Sequence, residues 1–135
     1  MDSQTDIHEQ VRKFFDFYAL QFDECNWPEF IALYREPALS VRADGSVKLM
    51  NTHAEVLEFF RHVSDTWRIE GYSSFATSNL NVKSLGSRSV LATFTWHMQR
   101  ANGSLIRAWL QSYQLIVVGQ NWRVLASTFH AACAK

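Results

Sequence analysis

Acidic residues are missing from the second half of this chain: from Tyr72 onward the sequence contains neither Asp nor Glu. Strands built from that half bring no carboxylate of their own to act as a general base. Charge of one sign is not in excess either. Lys plus Arg number 13 and Asp plus Glu number 13, so no global field recruits nucleic acid or an anionic membrane, and neither is expected as a partner. Cysteine is scarce, and Cys25 and Cys133 show no C-x-x-C or Cys/His spacing. That speaks against structural zinc and suits two ordinary thiols in a reduced compartment. No apolar run reaches membrane-spanning length, and the polar, acidic opening at residues 1–6 lacks the succession of a secretion signal, so a cytoplasmic location is expected. The glycines are scattered turn residues with no phosphate-cradle spacing. No hydrolytic Ser, His and acid spacing occurs, and His8, His53 and His62 lack a second ligand at i+4, so neither metal nor cofactor is expected.

What the chain does have is rings. Aromatic residues make up 14%, with five Trp, in a length that suits one domain over residues 1–135. Residues 88–130 organise the rest. Val90, Ala92, Phe94, Trp96 and Met98 alternate with Leu91, Thr93, Thr95, His97 and Gln99, which predicts a strand with two different faces. An Ala-Asn-Gly turn and a Gly-Gln-Asn turn bracket a long middle strand over residues 105–118, which must bend. A further strand is expected over residues 72–85. Upstream, Ile7, Val11, Phe14, Phe15, Tyr18 and Phe22 recur at helical spacing and predict one amphipathic helix. Pro28 suits the first turn of a short second helix capped by Asn26 and ended by Pro37. Residues 38–50 read as a hairpin turning at Asp44-Gly45. Thr52 with Glu55 forms a capping box for a third helix whose buried face is Val56, Phe59, Phe60, Val63 and Trp67.

That order, the Asp23-Glu24-Cys25-Asn26-Trp27 corner between helices, the Asn121-Trp122-Arg123-Val124 opening of the last strand and the long central hairpin resemble the nuclear transport factor 2-like superfamily. Its polyketide cyclase-like and ketosteroid isomerase-like branches look closest, and the resemblance covers about residues 7–131. It implies an α+β fold, a cystatin-like cone in which a curved, mostly antiparallel mixed sheet wraps three N-terminal helices around an apolar pocket. It also implies pairing through the outer face of the sheet. In the isomerase-like pattern, a Tyr and a protonated Asp hold an oxyanion while another Asp shuttles the proton. The register of the resemblance puts Tyr18 at the Tyr position, Arg42 at the base position and Ser112 at the second Asp position. With both carboxylates replaced, that isomerisation is not expected.

Each candidate residue has two readings. Tyr18 sits on the helix stripe as a pocket donor or as a core tyrosine bonded to backbone. Arg42 would anchor an anion if it points inward, but Leu39 and Val41 form the apolar set of its strand, which favours Ser40 and Arg42 outside. Ser112 and Gln114 share a face with Leu110 and Ile116, which hints at a polar patch in the pocket or at a hydrogen bond between strands. In that register Arg107, Trp109, Gln111 and Tyr113 fall outside. His130 reads as a pocket base or as a fraying terminal histidine. The expected site joins Tyr18 and Ser112 in a cavity walled by Phe15, Phe94, Trp96, Leu110 and Phe129, with Gln114 and Arg42 as further ligand contacts.

Three functions compete. One is an isomerase, cyclase or dehydratase using Tyr18 and His130. The second is a non-catalytic protein that holds a small apolar or weakly acidic ligand. The third is a dimerising module whose pocket its own side chains fill, joined through Thr93, Thr95, His97, Trp109 and Tyr113 on the outer face.

Overall fold

The helical stripe winds into α1 (Gln4–Asp23), buries Val11, Phe15, Tyr18 and Phe22, and leaves Arg12 outside between Glu9 and Asp16. A computed structural model describes residues 4–130, so Cys133 and the first three residues of the polar opening expected over residues 1–6 lie outside the described residues. Cys25 takes a positive φ of 56° and turns the chain into α2 (Trp27–Ile31), with Pro28 in its first turn. Asn26 occupies the cap position without capping, and its amide donates to Gln21 at 2.9 Å. The short helix ends before Pro37, which lies within β1 (Tyr34–Val41) instead of stopping the helix. β1 and β2 (Val47–Met50) form the expected hairpin.

The capping box opens α3 (His53–Ile69) as expected. The Glu55 N–H donates to Thr52 Oγ1 at 3.2 Å, and the Glu55 carboxylate accepts from the Asn51 N–H at 3.1 Å. Four strands follow: β3 (Ser74–Ser84), β4 (Ser89–Gln99), β5 (Leu105–Val118) and β6 (Asn121–Phe129). The sheet order is β2-β1-β6-β5-β4-β3, antiparallel except where β1 meets β6. Asn79, at φ 59°, sits where the β3–β4 register slips, and further slips fall in the β4–β5 and β5–β6 pairings. Such irregularities bend strands, and here they curl the sheet. All three helices pack on its inner face: Phe15 of α1 against Phe94 and Tyr113, Phe30 of α2 against Tyr34, and Trp67 of α3 against Phe75 and Trp109. The result is an α+β cone. Among the described residues no helix is long and apolar enough to cross a membrane.

β4 presents Val90, Ala92, Phe94, Trp96 and Met98 inward, as its alternation predicts. β5 takes the opposite register to the one expected. Residues paired directly across two strands share a face, and Ala92 pairs with Tyr113 whereas Thr93 pairs with Ser112. Gln111, Tyr113 and Leu115 are therefore buried inside, and Leu110, at 46% exposure, lies outside with Ser112 and Gln114. β1 is reversed in the same way. Ala38 and Ser40 point inward, while Leu39 and Val41 face out beside Leu49 and Val47.

Candidate functional site

At one end of the cone interior the rings close on one another. Phe94 stacks on Tyr113 at 5.5 Å and meets Phe15 at 4.8 Å, leaving no space between α1 and the sheet there. At the other end the rings meet only around a space, and a cavity of about 180 Å³ remains between them. Its aromatic walls come from α3 (Phe59, Phe60, Trp67) and from the strands (Phe75, Trp96, Trp109, Phe129). The α3 rings that the sequence marks as a buried face are only half-buried, because their outer edges border this space. Trp109 is held between Trp67 at 5.7 Å and Phe129 at 5.9 Å, and its indole N–H donates to Gln111 at 2.9 Å.

The inner limit of the cavity is a tyrosine cluster. Tyr18 and Tyr34 share a hydrogen bond of 2.6 Å, and Trp96 donates its indole N–H to the Tyr113 hydroxyl at 2.9 Å. Tyr18 and Tyr113 line the cavity. Burial raises all three phenols well above their ordinary pKa, and a hydrogen bond to each offsets only part of the rise. They stay protonated and act as neutral donors. Tyr18 bonds both Tyr34 and Tyr113, and these two links use two of the three phenol protons, so the cluster has one donor to spare.

A polar lane crosses the wall formed by β1, β6 and β5, where Ser40 pairs with Ser127 and Ser127 with Tyr113. Ser40 and Ser127 are only 2% and 4% exposed, yet their hydroxyls have no hydrogen-bond partner among the described residues. Both border the cavity, so what surface they have faces into it. Two residues beyond Ser40, Arg42 stands at the rim with its guanidinium 5.5 Å from the centre of the Phe59 ring. Within ion-pair distance of Arg42 there is no described carboxylate. Asp44 is nearby, but its carboxylate is held by the Ser46 N–H and hydroxyl at 2.8 and 2.7 Å. Those bonds, with the Arg42 charge adding to them, keep the Asp44 pKa low.

The expected site residues are thus divided. Tyr18, Arg42, Trp96 and Phe129 line the cavity. Phe15 and Phe94 belong to the packed core beside it. Leu110, Ser112 and Gln114 are on the other side of the sheet, so Tyr18 and Ser112 do not share a cavity. There Ser112 bonds Thr93 at 2.7 Å and Gln114 donates to Ser89 at 3.1 Å, the strand-to-strand alternative. His130 joins that outer group, with its Nε2 2.7 Å from Ser112 Oγ, and edges only an open hollow outside the mouth. Trp109 and Tyr113, expected outside, are inside. Sequence reasoning missed Ser40, Ser127, Gln111 and Trp109, and the signal that could have found them is the β4–β5 pairing of two tryptophans, Trp96 with Trp109, on one face.

Among the described residues no Asp or Glu lines the cavity. A half-buried acid, Asp23, stands at the end of α1. It accepts from the Tyr72 hydroxyl at 2.5 Å and the Phe75 N–H at 3.2 Å, and its own carbonyl accepts from Arg68 at 2.8 Å. Burial pushes its carboxyl up to about 6 despite these donors.

A family model described as NTF2-like protein (DUF6841) matches residues 8–132. No curated protein matches the chain. Among solved structures, Aln2 from a Streptomyces species superposes with a TM-score of 0.78 at 15% identity, over 97% of this chain and 94% of that one. A protein of unknown function with a cystatin-like fold from Nostoc punctiforme gives 0.75 at 10% identity, over 96% and 93%. An NTF2-like protein with a cystatin-like fold from Novosphingobium aromaticivorans gives 0.75 at 13% identity, over 100% and 94%. At these identities the likeness is one of fold.

Proposed function

The chain belongs to the NTF2-like family, and from that premise we propose that it is a pocket protein that encloses one small, mostly apolar ligand at the open end of its cone. The observation that carries this reading is a ring-walled cavity into which two buried serine hydroxyls face without a protein partner. No fully buried side-chain oxygen among the described residues lacks a partner, so these two hydroxyls are reached from the cavity, where a ligand oxygen can bond them. Size narrows the choice. A cavity of about 150 Å³ holds benzene, so about 180 Å³ suits one substituted ring, and a four-ring compound would have to extend into the open hollow at the mouth.

The one spare proton of the chain of Tyr34, Tyr18 and Tyr113 is donated to the innermost oxygen of such a ligand. Ketosteroid isomerisation is not part of this reading, because no carboxylate accompanies these tyrosines and His62, the one lining imidazole, sits at the exposed rim. If the site is catalytic, it works by donor stabilisation in a cofactor-independent isomerase, cyclase or dehydratase. A thermal-shift screen of single-ring aromatic acids, lactones and fused-ring compounds tests the reading. Single-ring compounds should raise the melting temperature more than four-ring compounds do. A screen in which only four-ring compounds bind would reject it.

A specific observation also favours pairing of two copies. Across the middle of the outer face, Leu39, Leu49, Ala126, Thr128, Leu110, Ser112, Thr93 and Thr95 form an uncharged surface that none of the three helices covers. In this arrangement Leu110 stands where Trp109 was expected. Pairing and ligand binding use opposite faces of the same sheet and are compatible.

A further inference from the structure

The proposed pocket has a charge preference built into its rim. Ser40 and Arg42 are two residues apart on β1, so both project to the inner side, and Ser127 lies across from Ser40 on the parallel strand β6. The three residues border one cavity. They offer a guanidinium fork and two hydroxyls, all donors with no acceptor from the protein among the described residues. A buried donor needs an acceptor, and one cation with two hydroxyls matches a monoanion that presents two oxygens. A phosphate ester would bring nearly twice the charge against a single unpaired arginine, which favours a carboxylate.

The surroundings support the same choice. Phe59 holds the guanidinium over its face and so fixes the fork at the mouth, and the Asp44 carboxylate, although its charge is felt by Arg42, bonds Ser46 and forms no ion pair with the guanidinium. The other strongly basic side chain at the mouth, Arg107, is paired with Glu70 at 2.7 Å, which leaves Arg42 as its uncommitted counterpart. Arg42 is exposed at the rim, so an anion bound there keeps part of its hydration and avoids the full cost of burial.

Resting on the pocket reading above, we infer that Arg42, Ser40 and Ser127 form a carboxylate subsite and that the ligand is a single-ring aromatic carboxylate. Its ring lies among Trp67, Trp96, Trp109 and Phe129. The carboxylate faces the mouth, and a polar ring substituent, where present, meets Tyr18 and Tyr113 at the inner end.

Phenylacetate and its uncharged isostere phenylacetamide test this by calorimetric titration at pH 7 and low salt, with the wild type, Arg42→Met and Ser127→Ala. In the wild type the acid should bind at least about tenfold tighter than the amide, the scale of one charge-assisted hydrogen bond. Arg42→Met should erase that preference by weakening the acid more than the amide, and Ser127→Ala should weaken the acid about threefold to tenfold. Equal binding of acid and amide to the wild type would overturn the carboxylate subsite and leave the pocket standing. An acid preference that survives in Arg42→Met would overturn the assignment to Arg42. Binding of neither compound, nor of any single-ring compound in the thermal screen, would reject the pocket together with the subsite.

Discussion

Phe94 and Trp96 are two residues apart on the same face of β4, both are almost fully buried, and they belong to different parts of the molecule. Phe94 is pressed between Phe15 and the stacked Tyr113 in a closed core. Trp96 reaches Phe75 and Tyr18 on one side and open cavity on the other. Both ends of the cone are built from rings on the same strands. The difference lies in what covers them: α1 fills the first end with Val11 and Phe15, whereas α3 spans the second with Phe60 and Trp67, which touch the sheet rings Tyr34, Phe75 and Trp109 at their edges and leave a cavity between them. Aromatic content therefore does not separate core from pocket. Helix placement does.

The sharpest way to break this comparison is Phe94→Ala. Removing a ring from the closed end should cost about 3–5 kcal/mol of unfolding free energy in urea. A loss below about 1 kcal/mol would mean that this end is as loosely packed as the other. Leu110→Asp carries the comparison to the opposite face of the sheet. If two copies pair there, the substitution should weaken self-association roughly a hundredfold by opposing two charges, and light scattering should report a folded monomer. A wild type that is monomeric at high concentration would remove pairing.

Asp23 ties the end of α1 to β3 through hydrogen bonds instead of packing, and its effect should be smaller. Its carboxyl pKa is raised from 3.8 to about 6, so the folded state holds that proton more tightly than the unfolded chain does. The resulting stabilisation is complete below about pH 4 and is lost as pH rises through 6. Because the group is partly exposed, the change should be of order 1 kcal/mol. Asp23→Asn should flatten urea midpoints measured between pH 4 and 7. The smallest effect is expected from Phe59→Ala on the cavity wall, about 1 kcal/mol or less of stability, accompanied by weaker ligand binding.

Helices and strand positions were legible because their signals are local: the Thr52–Glu55 box, the stripe of α1, the Asn-Gly turn. β4 was legible because Phe94, Trp96 and Met98 leave no doubt which face is apolar. β5 was not, since one face reads Leu110, Ser112, Gln114, Ile116 and the other Gln111, Tyr113, Leu115, and each mixes amides with apolar groups. Alternation establishes that a strand has two faces and does not say which is inside. β1 misled for a related reason. Leu39 and Val41 do not lie in the core; they lie on an uncharged outer surface, and folded proteins expose much apolar surface. Both errors moved polar side chains to the wrong side, which is why Ser112 stood in for Ser127 and Ser40 as the expected hydroxyl. The fold depends on where rings are, and the site depends on a register that only strand pairing sets.

The indole N–H signals of the five tryptophans test the central claim most directly, because Trp67, Trp96 and Trp109 line the cavity whereas Trp27 and Trp122 do not. In a two-dimensional NMR titration with phenylacetate, the signals of Trp67, Trp96 and Trp109 should shift together and saturably. Those of Trp27 and of Trp122, which is bonded to Gln10 on α1, should stay in place. Movement of Trp122 with Trp109 unmoved would contradict a division of the interior into a closed core and an open, ligand-sized end.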